Sequence, residues 1–324
     1  LWSAFKKGDF GTYMSAWAPF YNLHKMYAGL RDAWLYANNK EARSLFLQFC
    51  DWGIRITSAL TDEQMQSMLN MEHGGMNEIF ADAYQITGNE KYLVAARRFS
   101  HKQFLEPLSQ GIDNLDNKHA NTQIPKFIGF TRIAELSGDK TYENAGRFSW
   151  ETIVRNRSLA FGGNSRREHF PGIASCGDYI NDVDGPETCN SYNMLKLSRE
   201  LFKITHDSKY MDFYENTYYN SILSSQNPET GMTTYFQPMS TGYFKVYSTR
   251  WDKFWCCTGS GMESFTKLGD TIYMHEDDTL YVNFYQSSIL DWEEKGVKIT
   301  QDSSIPEGAS VKFTIDGSAA MDLR

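Results

Sequence analysis

Two adjacent cysteines, in the run Phe254, Trp255, Cys256, Cys257, Thr258, Gly259, Ser260, Gly261, are the residues of this chain whose spacing suggests the most chemistry. Neighbouring cysteines can close a strained vicinal disulfide, lie inert as small apolar side chains, or present two thiolates to one metal ion. Only the last option recruits other residues. Zinc is usually held by four ligands drawn from Cys, His and carboxylate, two close in sequence and two arriving from elsewhere. Glu187 and Cys189 supply a second close pair, able to face one ion if their segment is extended or opens a helix. The two pairs together make a Cys3Glu set.

Five cysteines is an odd number, so a complete disulfide framework is excluded. Cys50 lies in an apolar helical run with Leu45, Phe46, Leu47 and Phe49 and reads as core packing. Cys176 sits in a glycine-containing loop and stays unassigned.

Four polar segments carry the remaining candidates: Glu72 to Glu78 around His73, His119 to Pro125, Gly162 to Phe170 around Glu168, and the segment of Glu187 and Cys189. Singly, each is weak. A loop histidine is more often a surface or hydrogen-bonding group than a catalytic one. A glutamate beside Arg166 and Arg167 is more often half of a solvated ion pair.

The elements that must position these segments are helices. Apolar residues recur at helical spacing from Trp17 to Ala37 and from Glu41 to Leu60, with a break at Asn38 and Asn39. A related unit then repeats: Tyr84, Thr87, Gly88, Asn89, Tyr92; then Leu136, Ser137, Gly138, Asp139, Tyr142; then Phe202, Thr205, His206, Asp207, Tyr210. Each reads as helix, tight turn, helix. The Gly or His fits a left-handed C′ position, the Asn or Asp caps the next helix, and the Tyr three residues later faces inward. Helical hairpins repeated in this way imply a solenoid or a closed ring, and a ring is an (α/α) barrel with its functional loops at one mouth. From about residue 276 the pattern alternates, over Leu280 to Tyr285, Val297 to Gln301 and Val311 to Ile315, which predicts the start of a β domain. The expected division is 1–275 for the helical domain and 276–324 for the β domain.

A chain of 324 residues can bury about three quarters of its unfolded surface. It contains no run of eighteen apolar residues, which excludes a helical membrane span. The net charge of -8 with dispersed basic residues excludes the footprint of a nucleic-acid binder. Aromatics make up 15% and recur beside polar residues, as carbohydrate sites do, although most must simply fill a large helical core. A start at Leu1 and a stop within a strand pattern are expected of a fragment, so compartment is left open between the cytoplasm and the periplasm or exterior of a bacterium.

The segments HGGMNE at 73 to 78, HANTQIPK at 119 to 126, EHF at 168 to 170, ETCN at 187 to 190 and FWCCTGSG at 254 to 261, in that order, closely resemble glycoside hydrolase family 127, the β-L-arabinofuranosidases. The resemblance spans nearly the whole chain. It implies an (α/α)6 barrel followed by a β-sandwich domain, with further helices before Leu1. It implies Cys256 as nucleophile and zinc ligand, Cys257, Glu187 and Cys189 as the other ligands, and Glu168 as general acid/base. His73 and His119 would hold sugar hydroxyls, and Tyr235 would lie beside the nucleophile. Some members have a cysteine two positions before the nucleophile, where this chain has Phe254, a change in the pocket wall that leaves the ligand count intact.

A metal-bound sulfur nucleophile is physically reasonable. A free thiol of pKa about 8.5 is only about 3% thiolate at pH 7, so fixing the thiolate is worth up to roughly 2 kcal/mol of availability. A lower-pKa thiolate is a weaker nucleophile, so its bond to the metal must loosen during attack. Three functional readings follow. The first is an exo-acting, retaining zinc glycosidase releasing terminal β-L-arabinofuranose from plant-derived oligosaccharide. The second keeps the same site for another sugar. The third is a structural zinc site in a non-catalytic carbohydrate-binding protein. The expected partner is an oligosaccharide, with no nucleic acid or membrane, and a homodimer stays open. A closed structural site would bury all three sulfurs, whereas a catalytic one leaves Cys256 facing a pocket.

Overall fold

The computed structural model describes residues 2–6, 9, 11 and 15–324, apart from the side chains of residues 4, 6, 176, 179 and 268. The unassigned Cys176 is therefore outside the described side chains. The chain divides into two compact units, one ending at Cys257 and the other beginning at Thr258.

The first unit opens with a short helix, α1 (Trp2–Lys6), and is then built of helical hairpins. α2 (Pro19–Leu35) pairs with α3 (Lys40–Thr57), and after α4 (Asp62–Leu69) comes the pair α5 (Met76–Thr87) and α6 (Glu90–Arg98). α7 (Lys102–Ser109) precedes the pair α8 (Ala120–Ser137) and α9 (Lys140–Arg157), and α10 (Thr188–Thr205) pairs with α11 (Lys209–Thr217). The first helix of each pair adjoins the first helix of the next, so α2, α5, α8 and α10 form an inner layer and their partners an outer one. This is the hairpin array of an α/α barrel. Every residue from Lys126 to Ala134 of α8 is buried, as an inner helix packed on all sides requires. Gly129 allows α5 to come close, because a Cβ there would meet the Asn77 amide at 2.1 Å. Asn77 Nδ2 in turn donates to the Lys126 carbonyl at 2.9 Å.

The hairpin turns follow the expected code. Gly88, Gly138 and His206 take left-handed backbones at φ 66, 68 and 54. Asn89, Asp139 and Asp207 accept from the amides of Lys91, Thr141 and Lys209. Tyr92, Tyr142 and Tyr210 are buried. A charged layer joins the inner helices. Arg31 pairs with Asp82 and Glu78 at 2.5 and 3.2 Å, and Arg132 pairs with Asp82 at 2.9 Å and with Glu200 at 3.8 Å. With each partner compensated, these buried charges fix the lateral order of the inner helices.

The second unit holds two three-stranded sheets. One has the order β1 (Tyr273–Glu276), β2 (Thr279–Val282), β6 (Asp322–Leu323); the other has β3 (Ser288–Trp292), β4 (Val297–Ser303), β5 (Val311–Asp316). Leu280, Trp292, Val297 and Ile299 form their shared core, the beginning of a sandwich. The alternation predicted β2, β4 and β5. It missed β1, β3 and the two-residue β6.

Candidate active site and metal centre

The candidate residues gather at the N-terminal ends of the inner helices. His73 and Gly74 lead into α5, whose N-cap is Gly75; His119 is the N-cap of α8; Glu187 is the N-cap of α10, with Cys189 in its first turn. Cys256 and Cys257 open a further helix, α12 (Cys256–Thr266). The polar segment from His119 to Pro125 is thus a helix start, and of the two options for Glu187 and Cys189 the segment takes the second, opening a helix. Helix N-termini concentrate unpaired N–H groups and partial positive charge, which favours the anionic forms of carboxylate and thiol.

The oxygen and sulfur atoms of Glu187, Cys189, Cys256 and Cys257 all lie within 4.8 Å of one another. Sγ of Cys189 and Cys257 are 3.1 Å apart, Cys256 Sγ is 3.9 Å from Cys257 Sγ, and Glu187 Oε1 is 3.7 and 3.8 Å from the sulfurs of Cys256 and Cys257. Three members are buried and Cys256 is exposed. Burial pushes the Glu187 carboxyl well above its usual range, with the Cys256 charge adding to it, and burial likewise raises Cys189 and Cys257. Cys256 moves the other way, its thiolate held by hydrogen bonds from Cys189 and Cys257 and further by Tyr235. Four acidic groups packed this tightly must either retain protons or carry uncompensated charge, and a cation resolves both. Glu187 Oε2 is buried without a hydrogen-bond partner, an acceptor of the same carboxylate left unused. The set fits a metal ion.

Glu187 is oriented from behind. Its Oε1 accepts from Asn121 Nδ2 at 3.1 Å, Asn121 Oδ1 accepts from Asn193 Nδ2 at 2.6 Å, and its amide donates to Ser165 Oγ at 3.0 Å. Its backbone runs antiparallel to the Tyr235 segment, with Thr188 N donating to the Tyr235 carbonyl at 3.0 Å and Gln237 N to the Pro186 carbonyl at 2.9 Å.

Glu168 sits on a two-residue turn closed by Arg166 and His169, which exchange amide bonds of 2.9 Å. Both central residues, Arg167 and Glu168, have positive φ, 46 and 69, the pattern of a type I′ turn made without Gly or Asn. The strained turn is held by Ala120 N donating to the Glu168 carbonyl, Phe170 N donating to the Lys118 carbonyl, and an Arg166–Asp182 ion pair. The solvated pairing of Glu168 with its neighbouring arginines does not occur. Its carboxylate accepts from the Tyr235 hydroxyl and lies 3.7 Å from His119 Nε2. Tyr235 is driven far above the normal phenol range, first by burial and then by the charges of Glu187, Glu168 and Cys256. His73 and His119 lie 6.2 Å apart by ring centroid. Burial lowers both, His73 to about 4, so both rings are neutral near pH 7.

All eight predicted residues therefore face one region. Sequence reasoning missed Tyr21, 4.6 Å from the His73 ring, whose hydroxyl is pushed up to about 12 by burial and by Cys256, Cys189, Glu187 and Cys257. It also missed Trp17, edge-on to His73 at 5.2 Å, and His169, 5.2 Å from His119. Asn121 could have been singled out, since it lies in the recognised segment after His119. Tyr21 and Trp17 could not be told from core aromatics.

The family pattern described as "Beta-L-arabinofuranosidase, GH127 catalytic domain" matches residues 3–270, and the one described as "Beta-L-arabinofuranosidase, GH127 middle domain" matches residues 279–324. Among solved structures, the GH127 β-arabinofuranosidase BT3674 is similar over 91% of this chain and 48% of its own, with TM-score 0.73 and 20% identity. A GH127 β-L-arabinofuranosidase from Geobacillus stearothermophilus T6 is similar over 91% of this chain and 52% of its own, with TM-score 0.68 and 17% identity. A third, a glycoside hydrolase, gives TM-score 0.75 at 15% identity over 93% and 55%. The chain thus spans about half the length of these solved relatives, and the likeness to them is one of fold. No curated protein matches the chain.

Proposed function

Because the chain belongs to the GH127 β-L-arabinofuranosidase family, we propose that it is a retaining glycoside hydrolase that releases terminal β-L-arabinofuranose from plant-derived oligosaccharides. Residues 1–275 would form its catalytic domain and 276–324 the start of its β domain. The observation that carries the reading is the exposure of Cys256 in a cluster whose other three members are buried. A structural site would close over all its sulfurs.

The donor set suits zinc, which binds thiolate and carboxylate and would, when bound, hold Cys256 as thiolate at neutral pH. Glu187, Cys189, Cys256 and Cys257 are its proposed ligands. Cys256 Sγ attacks the anomeric carbon, and the bond to the leaving oxygen breaks as Glu168 gives that oxygen its proton. The resulting thioglycosyl intermediate is hydrolysed when the Glu168 carboxylate takes a proton from an incoming water. Tyr235 orients Glu168 through its hydrogen bond, and its side chain is also among the groups that lower the Cys256 thiol. The neutral rings of His73 and His119 offer one donor and one acceptor each to sugar hydroxyls.

Metal content and hydrolysis of p-nitrophenyl β-L-arabinofuranoside, measured on the wild type and on Cys256→Ser, test the reading. Zinc near one equivalent, with turnover lost in the variant, supports it. Zinc without turnover of any furanoside would return the cluster to a structural role.

A further inference from the structure

Beside the site runs an aromatic cleft of ≈ 370 Å³, lined by Tyr235, Phe236, Tyr243, Phe244 and Trp255, with Asp184 among them. We propose that this cleft binds the leaving-group half of the substrate, a sugar unit beyond the scissile bond. The inference rests on the glycosidase reading and names which part of the substrate that site selects.

Continuity with the catalytic groups is the first argument. Tyr235 belongs to both places: it lines the cleft and donates to Glu168, the group that protonates the leaving oxygen. Trp255 lines the cleft and is the immediate neighbour of Cys256 in the chain. His73, His119 and Tyr21 gather with one another and with the cluster instead, which gives them to the sugar being transferred. A group bonded to the oxygen beside Glu168 therefore has the cleft next to it.

The chemistry of the walls is the second argument. Tyr243 and Phe244 stack on each other at 4.8 Å and 15°, yet remain 44% and 68% exposed. Aromatic surface left open beside a catalytic cluster marks a binding site. The negative π-face takes the weakly positive C–H face of a sugar ring. The Asp184 carboxylate and the Tyr235 hydroxyl supply polar partners for the ring's hydroxyls, which a purely apolar aglycone would leave unmatched. The cleft is also preformed. Phe236 bridges to Glu187, and the amides of Met239 and Ser240 both donate to the Asp182 carbonyl, at 2.8 and 3.1 Å.

The test uses two probes, methyl β-L-arabinofuranoside and a disaccharide of β-L-arabinofuranose linked to a second arabinose. Phe244→Ala and Tyr243→Ala, whose side chains are exposed and carry little folding energy, should each lower kcat/KM for the disaccharide by about tenfold. Hydrolysis of the methyl glycoside, which cannot reach the cleft, should change by less than about twofold. Equal losses on both probes, or no loss on either, would overturn the proposal. If the wild type hydrolyses neither, the glycosidase reading fails, and calorimetric titration with the disaccharide decides the cleft separately. Binding weakened by Phe244→Ala supports the cleft, whereas unchanged or absent binding overturns it.

Discussion

The Tyr235 hydroxyl donates to Oε1 of Glu168 across 67 residues of sequence, and the same side chain is among the groups that lower the Cys256 thiol. One phenol thus bears on the two groups assigned to opposite ends of the scissile bond. Removing it should leave the ligands in place but let the Glu168 side chain swing on its exposed turn. Tyr235→Phe is expected to lower kcat by about 10- to 100-fold with zinc content unchanged, the loss of one positioned polar group at a reacting centre. Steady-state kinetics beside metal analysis checks this. A variant that loses zinc as well would make Tyr235 a structural part of the metal site.

Asn121 offers a complementary separation. It holds Glu187 Oε1 and is itself held by Asn193, so it acts on a proposed ligand without being one. Groups that orient metal ligands typically matter by 10- to 100-fold in affinity. Asn121→Ala should weaken zinc by about that factor, read by competition with a chromophoric chelator. An unchanged affinity would mean that the helix start alone fixes Glu187.

How far the sequence could carry these assignments differs from element to element. The hairpins were legible because Gly88, Gly138 and His206 each stand where a left-handed backbone ends a helix, and the following Asn or Asp caps the next. Spacing alone paired Glu187 with Cys189 and Cys256 with Cys257. The position of Glu168 was not legible from its neighbours. Its type I′ turn lacks Gly and Asn and exists because backbone bonds from Ala120 and Phe170 impose it. Long-range contacts decide such a turn, so local propensity points the wrong way. Tyr21 was hidden for a related reason: what distinguishes it from a core tyrosine is the charge of four residues distant in sequence.

Lys126 gives a prediction in pH. Its ammonium is buried, donates to the Leu69 carbonyl at 3.0 Å, and contacts His101 Nδ1 at 2.9 Å; burial lowers it to about 7. A lysine lowered in the folded state is protonated more readily when unfolded. Its contribution to stability is therefore complete above its unfolded pKa, near 10.5, and is lost as pH falls from there to about 7. Folding stability should rise with pH across this window by up to about 1.4 kcal/mol per unit from this group. Urea midpoints of the wild type and Lys126→Met at pH 7.5 and 9.5 isolate it, since other groups titrate in both. Equal pH slopes in the two proteins would place the lysine's titration outside the window.

Arg157 links the two segments that carry His119 and Glu168. Its side chain is fully buried and uses all five N–H donors. Nε donates to the Pro171 carbonyl at 3.1 Å, Nη1 to Asp113 at 2.7 Å and Thr152 at 3.0 Å, and Nη2 to Asp113 at 3.1 Å and Asp116 at 2.5 Å. Asp116 precedes His119 by three residues, and Pro171 follows Glu168 by three. Arg157→Met keeps most of the volume but strands the Asp113 carboxylate, and should destabilise the fold by about 3 kcal/mol. Arg157→Lys should not restore it, because a lysine has three donors and no planar fork to divide between two carboxylates and a carbonyl. Both variants should also lose kcat in excess of their unfolded fraction, since the turn bearing Glu168 would be anchored on one side only. Urea unfolding and kinetics at a temperature where each variant is folded separate the two effects. Wild-type kcat in a folded Arg157→Lys would show that the turn's own backbone bonds suffice to place Glu168.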